Sequence, residues 1–234
     1  MIGFYDYTVV LTYVSLVISL FGIFSAVRGN VLVAILCLAL SGLCDMFDGK
    51  IARTKKNRTA DEKSFGIQLD SLCDVICFAV FPSVLCWRLG VRGLFGFALM
   101  SFFCICGVIR LAYFNVLEGK RQQEEEGLMR YYHGLPITST AVILPFLLLL
   151  RFVMAGTMFR VVLHVALFMI GLLFITDFPL KKPKNRTLAA IVAAVALALV
   201  VLTSLGFRNQ RVSSPVELAG NINRLFLSEP EDSI

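Results

Sequence analysis

Asp45, Asp48, Gly49, Ala52 and Arg53 fall at i, i+3, i+4, i+7 and i+8, so on a helix they share one face. Gly66, Asp70 and Asp74 then step by four and make a second stripe of the same kind. Both stripes lie at the edge of very apolar sequence. Two helices that face each other this way bring four carboxylates together beside apolar surface, where uncompensated anions repel and lose hydration. Divalent cations are the natural remedy, and hard oxygen donors favour magnesium or manganese over a thiolate-bound metal. In a purely structural alternative, Lys50 and Arg53 neutralise the acids as ion pairs. That leaves two cations against four anions and gives Gly49 and Gly66 no role. A glycine on a helix face costs roughly 1 kcal/mol against alanine, and it leaves room for something to approach the backbone.

The elements that must position these residues follow from composition. Mean hydropathy is +0.81, 58% of residues are hydrophobic and 16% are charged, against roughly 25% charged in an ordinary soluble domain. An all-α, polytopic membrane protein is expected, with about six to eight transmembrane helices of roughly 20 residues each. Apolar segments run at 8–27, 30–48, 67–87, 94–114, 136–156, 161–177 and 187–205, which counts seven. Met1 to Tyr7 carries Asp6 and no basic residue, so the first apolar run is expected to stay as a helix and not to be removed as a signal peptide.

The net charge of +6 is spread over short loops and is not gathered on a nucleic-acid-binding module. It sorts by loop. Lys50, Arg53, Lys55, Lys56, Arg58 and Lys63 lie in the second loop, Lys120, Arg121 and Arg130 in the fourth, and Lys181, Lys182, Lys184 and Arg186 in the sixth. The odd loops hold Arg28, Arg88, Arg92 and Arg160. Thirteen against four makes the even loops cytoplasmic, and with them the aspartate face. The seven cysteines, at 37, 44, 73, 77, 86, 104 and 106, all fall in apolar stretches without zinc spacing and read as packed thiols.

As a string, Asp45-x2-Asp48-Gly49-x2-Ala52-Arg53 followed by Gly66-x3-Asp70-x3-Asp74 resembles the signature of the CDP-alcohol phosphatidyltransferase family, eight specified residues at fixed spacing. It departs in one place: 12 residues, 54–65, separate Arg53 from Gly66, where the family usually has fewer. The resemblance implies that Asp45, Asp48 and Asp70 hold one metal and Asp45, Asp70 and Asp74 the other, with Mg2+ or Mn2+ in a two-metal site. Asp74 would also be the general base. Asp48, Gly49, Ala52, Arg53 and Gly66 would bind CDP-diacylglycerol, the arginine through its planar fork.

Phe65–Asp74, Arg110-Leu111-Ala112-Tyr113-Phe114-Asn115 and Gly134-Leu135-Pro136 resemble the bacterial and archaeal phosphatidylserine synthase branch of that family. The acceptor implied is L-serine, with Arg110 and Asn115 as its binding residues. For Arg110 the alternative is an arginine snorkelling to the interface, and for Asn115 a helix cap. His133 beside Tyr131 and Tyr132 reads as interfacial, and His164 as a packed histidine. Another acceptor, glycerol 3-phosphate or an inositol phosphate, would require extra cationic side chains at the pocket. A divalent-cation transporter is the alternative from a different class, but its site would be expected near the bilayer midplane, and it has no use for Gly49, Ala52 and Arg53.

Residues 1–206 form a single transmembrane domain in this reading, and 207–234 a polar tail. In the tail Leu218, Ile222, Leu225 and Phe226 would line one side of a short amphipathic helix. Ala190, Ala194 and Ala198 form a small-residue row suited to close helix packing, within the chain or in a homodimer. The run Glu124–Glu126 reads as a solvated helix face.

Overall fold

The computed structural model describes residue 3 and residues 7–52, 54–55, 59–123, 131–181 and 185–212. Helices α1 (Val10–Val27) and α2 (Val31–Ala52) form an antiparallel hairpin. Its turn uses Gly29 at φ +91°, in the left-handed region that favours glycine. α1 turns a small-residue stripe inward, with Ser15, Ser19, Gly22 and Ala26 all buried. Three hydroxyls then bond in the apolar interior: Ser19 Oγ donates to Ser41 Oγ at 2.8 Å, and Ser15 Oγ and Ser41 Oγ lie 2.7 Å apart. A buried hydroxyl is costly unless paired, so these contacts fix the height of α1 against α2. Ser41 is one helical turn below Asp45.

The third span, Ala60–Leu89, is continuous but not uniform. It comprises α3 (Ala60–Asp74), a π-helical stretch Val75–Val80 and α4 (Phe81–Leu89). Pro82 lies just beyond the wide turns. It has no N–H to give the carbonyl four residues back, that of Phe78, and the Thr140 hydroxyl donates there instead, at 3.3 Å. This bond ties the third span to α6 (Thr140–Leu150), which also approaches α2 closely: a Cβ built on Gly42 would lie 2.6 Å from that of Ala141.

α5 (Gly93–Gln123) and α7 (Gly156–Ile175) pack together, with Gly171 against Phe102. α8 (Asn185–Val212) lies on α6 and α2. Between them, β1 (Tyr131–His133) and β2 (Pro179–Lys181) pair as a short antiparallel ribbon that the all-α expectation did not include. The polytopic reading holds. Among the described residues six helices are long and apolar enough to cross a membrane, and Ile137–Leu150 is a shorter apolar helix, which makes the seven expected.

The boundaries that differ most from the sequence reading are the start of the third span and the ends of α5, α6 and α8, the last running past 205 to Val212. The third span starts at Ala60 and not near 67, because Thr59 caps it. The Thr59 hydroxyl accepts from the Glu62 N–H at 3.1 Å, and the Glu62 carboxylate accepts from the Thr59 N–H at 2.9 Å. Lys55 pairs with Glu62 at 3.3 Å, and residues 60–65 of the long 54–65 stretch belong to the helix. α5 runs past 114 to Gln123, and α6 ends at Leu150, which places Arg151 at the odd-loop end of the bundle. That makes the basic residues thirteen against five. Glu124–Glu126 and residues 213–234, including Leu218, Ile222, Leu225 and Phe226, lie outside the described residues.

Candidate functional site

α2 rises from the hairpin turn and α3 descends toward it, so the C-terminal parts of both meet at the same depth. Carboxylate oxygens of Asp45, Asp70 and Asp74 lie within 4.8 Å of one another. Asp48, the fourth expected member, stands outside this triad, with its carboxyl at hydrogen-bonding range of that of Asp70. The carboxyls of Asp45 and Asp74 face each other in the same manner. All four carboxylates thus lie in one place, with the deepest, Asp74, only 8% exposed.

Asp70 Oδ1 is buried and has no hydrogen-bond partner among the described residues. An orphaned carboxylate oxygen in such a place needs an explanation. Three hard-oxygen donors within reach of a single ion supply one, so these residues fit a divalent cation. On the flank of the cluster Gly49 is exposed, and a Cβ built on it would meet nothing within 4 Å. The space expected beside that glycine exists. Gly66 is half-buried on α3 and Ala52 closes α2. Arg53 lies outside the described residues, as do Lys56, Asn57 and Arg58.

The two residues expected to meet the acceptor do not share a face. Arg110 and Asn115 are five positions apart on α5, about 140° around a helix of 3.6 residues per turn. Arg110 lies in the core-facing stripe and is 6% exposed, which rules out the snorkelling alternative. Its Nε donates to the Leu135 carbonyl at 3.0 Å, and its guanidinium lies 5.8 Å from the Phe114 ring centroid. That carbonyl belongs to the Gly134–Pro136 turn, which is pinned by Gly134 N–H to Phe178 O at 2.9 Å and Leu135 N–H to Leu173 O at 3.1 Å.

Asn115 does not cap a helix, because α5 continues for two more turns. It faces α3 instead. The hydroxyl of Ser71, next to Asp70, donates to Asn115 Oδ1 at 2.8 Å. The amide Nδ2 has no protein partner among the described residues, and the residue is half-buried. Ser71 was not singled out from the sequence. Its signal was available, since on α3 it flanks the face that carries Asp70 and Asp74.

His164 is packed as expected, its ring stacked on Phe95 at 5.8 Å and its Nδ1 at 2.7 Å from the Arg160 carbonyl. His133 pairs through β1 with Pro179. The cysteines are free thiols, five of them buried.

The profile described as CDP-alcohol phosphatidyltransferase matches residues 8–159. A CDP-diacylglycerol--serine O-phosphatidyltransferase of Methanocaldococcus jannaschii is 32% identical over 166 residues, covering 70% of this chain and 70% of that protein. A yeast protein of the same name, from Saccharomyces cerevisiae, is 37% identical over 103 residues, covering 43% of this chain and 36% of its own length. The archaetidylserine synthase of Methanothermobacter thermautotrophicus is 34% identical over 118 residues, covering 50% of this chain and 46% of its own length. The chain thus spans between about a third and about two thirds of the relatives it matches. The profile covers more than half of the chain, including both aspartate helices and α5. This chain belongs to the CDP-alcohol phosphatidyltransferase family.

Proposed function

We propose that this chain is a phosphatidylserine synthase, transferring phosphatidyl from CDP-diacylglycerol to the hydroxyl of L-serine and releasing CMP, with Mg2+ or Mn2+ at the aspartate cluster. The observation that carries the proposal is the convergence of Asp45, Asp70 and Asp74 within 4.8 Å, with Asp70 Oδ1 left unpartnered. The names of the relatives support serine as the acceptor.

Asp45, Asp70 and Asp74 would hold one cation and Asp45, Asp48 and Asp70 a second. Bound there, the ions neutralise charge on the transferring phosphoryl group and on the leaving phosphate. The open flank at Gly49 lets the cytidine diphosphate lie against the backbone of α2, with Asp48, Ala52 and Gly66 around it and Arg53 on its phosphates. Asp74, the most buried carboxylate of the four, takes the proton of the serine hydroxyl. As the serine oxygen bonds to the phosphorus of the phosphatidyl group, the bond from that phosphorus to the CMP oxygen breaks, and CMP leaves with its electron pair.

Asn115 offers its Nδ2 to the carboxylate of serine while Ser71 holds its other end. Arg110, a turn and a half deeper and on another face of α5, acts on the acceptor pocket through the Gly134–Pro136 turn that it fixes and does not touch serine. The basic asymmetry of the loops supports a cytoplasmic site. Residues 1–206 act as one transmembrane domain, and 207–234 as a polar tail whose first residues, to Val212, continue α8. A homodimer has its support in α8, where Ala190 and Ala194 lie exposed while Ala198 is buried against the bundle.

The deciding experiment supplies purified protein with CDP-diacylglycerol and, in separate reactions, L-serine, glycerol 3-phosphate or an inositol phosphate, and follows CMP. Serine-dependent release supports the proposal. Release only with a phosphate-bearing acceptor moves the assignment to another branch of the family.

A further inference from the structure

At the end of the bundle opposite the aspartates, three loops meet: 28–30, 88–93 and 151–160. Together they carry Arg28, Arg88, Arg92, Arg151 and Arg160 and no Asp or Glu. All five arginines are exposed. None pairs with a carboxylate among the described residues; their contacts there are with rings, a hydroxyl and glycines. Arg28 lies 4.3 Å from the Phe24 ring centroid, Arg92 lies 5.5 Å from that of Trp87, and Arg160 donates to the Thr157 hydroxyl at 3.3 Å.

The glycine positions show that the loops are contiguous. A Cβ on Gly29 would lie 2.6 Å from Arg88 Nη2, and a Cβ on Gly90 would lie 2.8 Å from Arg160 Cδ. Both glycines have positive φ, +91° and +118°, so the Arg88 guanidinium and the Arg160 stem lie across tight turns that only a glycine forms without strain. Arg28, Arg88 and Arg160 are thereby gathered on one rim, with the exposed rings of Phe24 and Trp87 beneath.

We infer that this arginine rim binds the phosphates of anionic phospholipid headgroups in the leaflet opposite the aspartate site. The charge is of one sign, and no carboxylate among the described residues neutralises it. The guanidinium is the side chain whose planar fork matches phosphate. The ring contacts place the cations at the depth where aromatic side chains sit in a bilayer, at headgroup level. A soluble anion would not need that depth. The inference is independent of the acceptor assignment.

The test uses the full chain in zwitterionic detergent, titrated with phosphatidylglycerol while thermal unfolding is followed, for the wild type and for Arg28→Gln/Arg88→Gln/Arg160→Gln. Each basic group near an anionic surface contributes about 1 kcal/mol, a factor of about five, so the triple variant should need about a hundredfold more lipid for the same shift. Lys63→Gln, exposed on α3 at the other end, should titrate as wild type. Three results would overturn the inference: a triple variant that titrates as wild type, a Lys63→Gln variant that loses as much, or glycerol phosphate in water producing the same shift as the lipid.

Discussion

Replacing Asn115 by Asp separates a ligand contact from a structural one. The carboxylate is isosteric with the amide, so it keeps the acceptor that Ser71 uses at 2.8 Å, and the link between α3 and α5 survives. What changes is the other end, where the Nδ2 donors are exchanged for an anionic oxygen. If that nitrogen holds the serine carboxylate, the variant loses a hydrogen bond to a charged group, about 1.5–3 kcal/mol. Repulsion between two carboxylates adds to the loss. Apparent serine affinity should fall by about tenfold to somewhat over a hundredfold. The assay is steady-state CMP release with serine varied at saturating CDP-diacylglycerol, then the reverse. A raised serine KM with an unchanged donor KM is the expected pattern. An unchanged serine KM would refute the reasoning, because it would mean that Asn115 does nothing beyond accepting from Ser71.

Arg110→Lys keeps the charge but cannot place a nitrogen where Nε meets the Leu135 carbonyl. Stability should fall by about 1–3 kcal/mol, read by thermal unfolding, and serine KM should rise by about tenfold or more; wild-type values for both would remove Arg110 from the acceptor site. Gly49→Val should fold normally, since its side chain would enter open space, yet raise the KM for CDP-diacylglycerol; an unchanged donor KM would detach Gly49 from the nucleotide. Ser64→Cys, exposed near the aspartate end, should resist an impermeant thiol reagent applied outside intact cells while Asn30→Cys reacts, and the reverse pattern would invert the topology.

The aspartate cluster was legible because its information is local: i, i+3 and i+4 spacing fixes a face, and two faces with the same chemistry at the same depth must meet. The early start of α3 was legible too, in Thr59-x-x-Glu62, but that signal lies ahead of the apolar run at 67–87 from which the span was read. The five-residue offset of Arg110 from Asn115 already placed them on different sides of a helix, although grouping them in one segment suggested one site. Other features could not be read from local sequence. That Arg110 meets Leu135, and that Thr140 serves the carbonyl freed by Pro82, depends on how separate spans dock. The π-helical turns after Asp74 belong to that docking as well, and they decide which way everything from Phe81 onward faces.

The central claim is that the carboxylates of α2 and α3 together hold divalent cations, and direct Mn2+ binding tests it without reference to turnover. Mn2+ bound to the purified chain can be counted by electron paramagnetic resonance for the wild type, for Asp70→Asn and for Asp61→Asn, an exposed carboxylate in the first turn of the same helix. Asp70→Asn should weaken binding by about tenfold or more, while Asp61→Asn should bind as wild type. Equal binding by wild type and Asp70→Asn would contradict that claim.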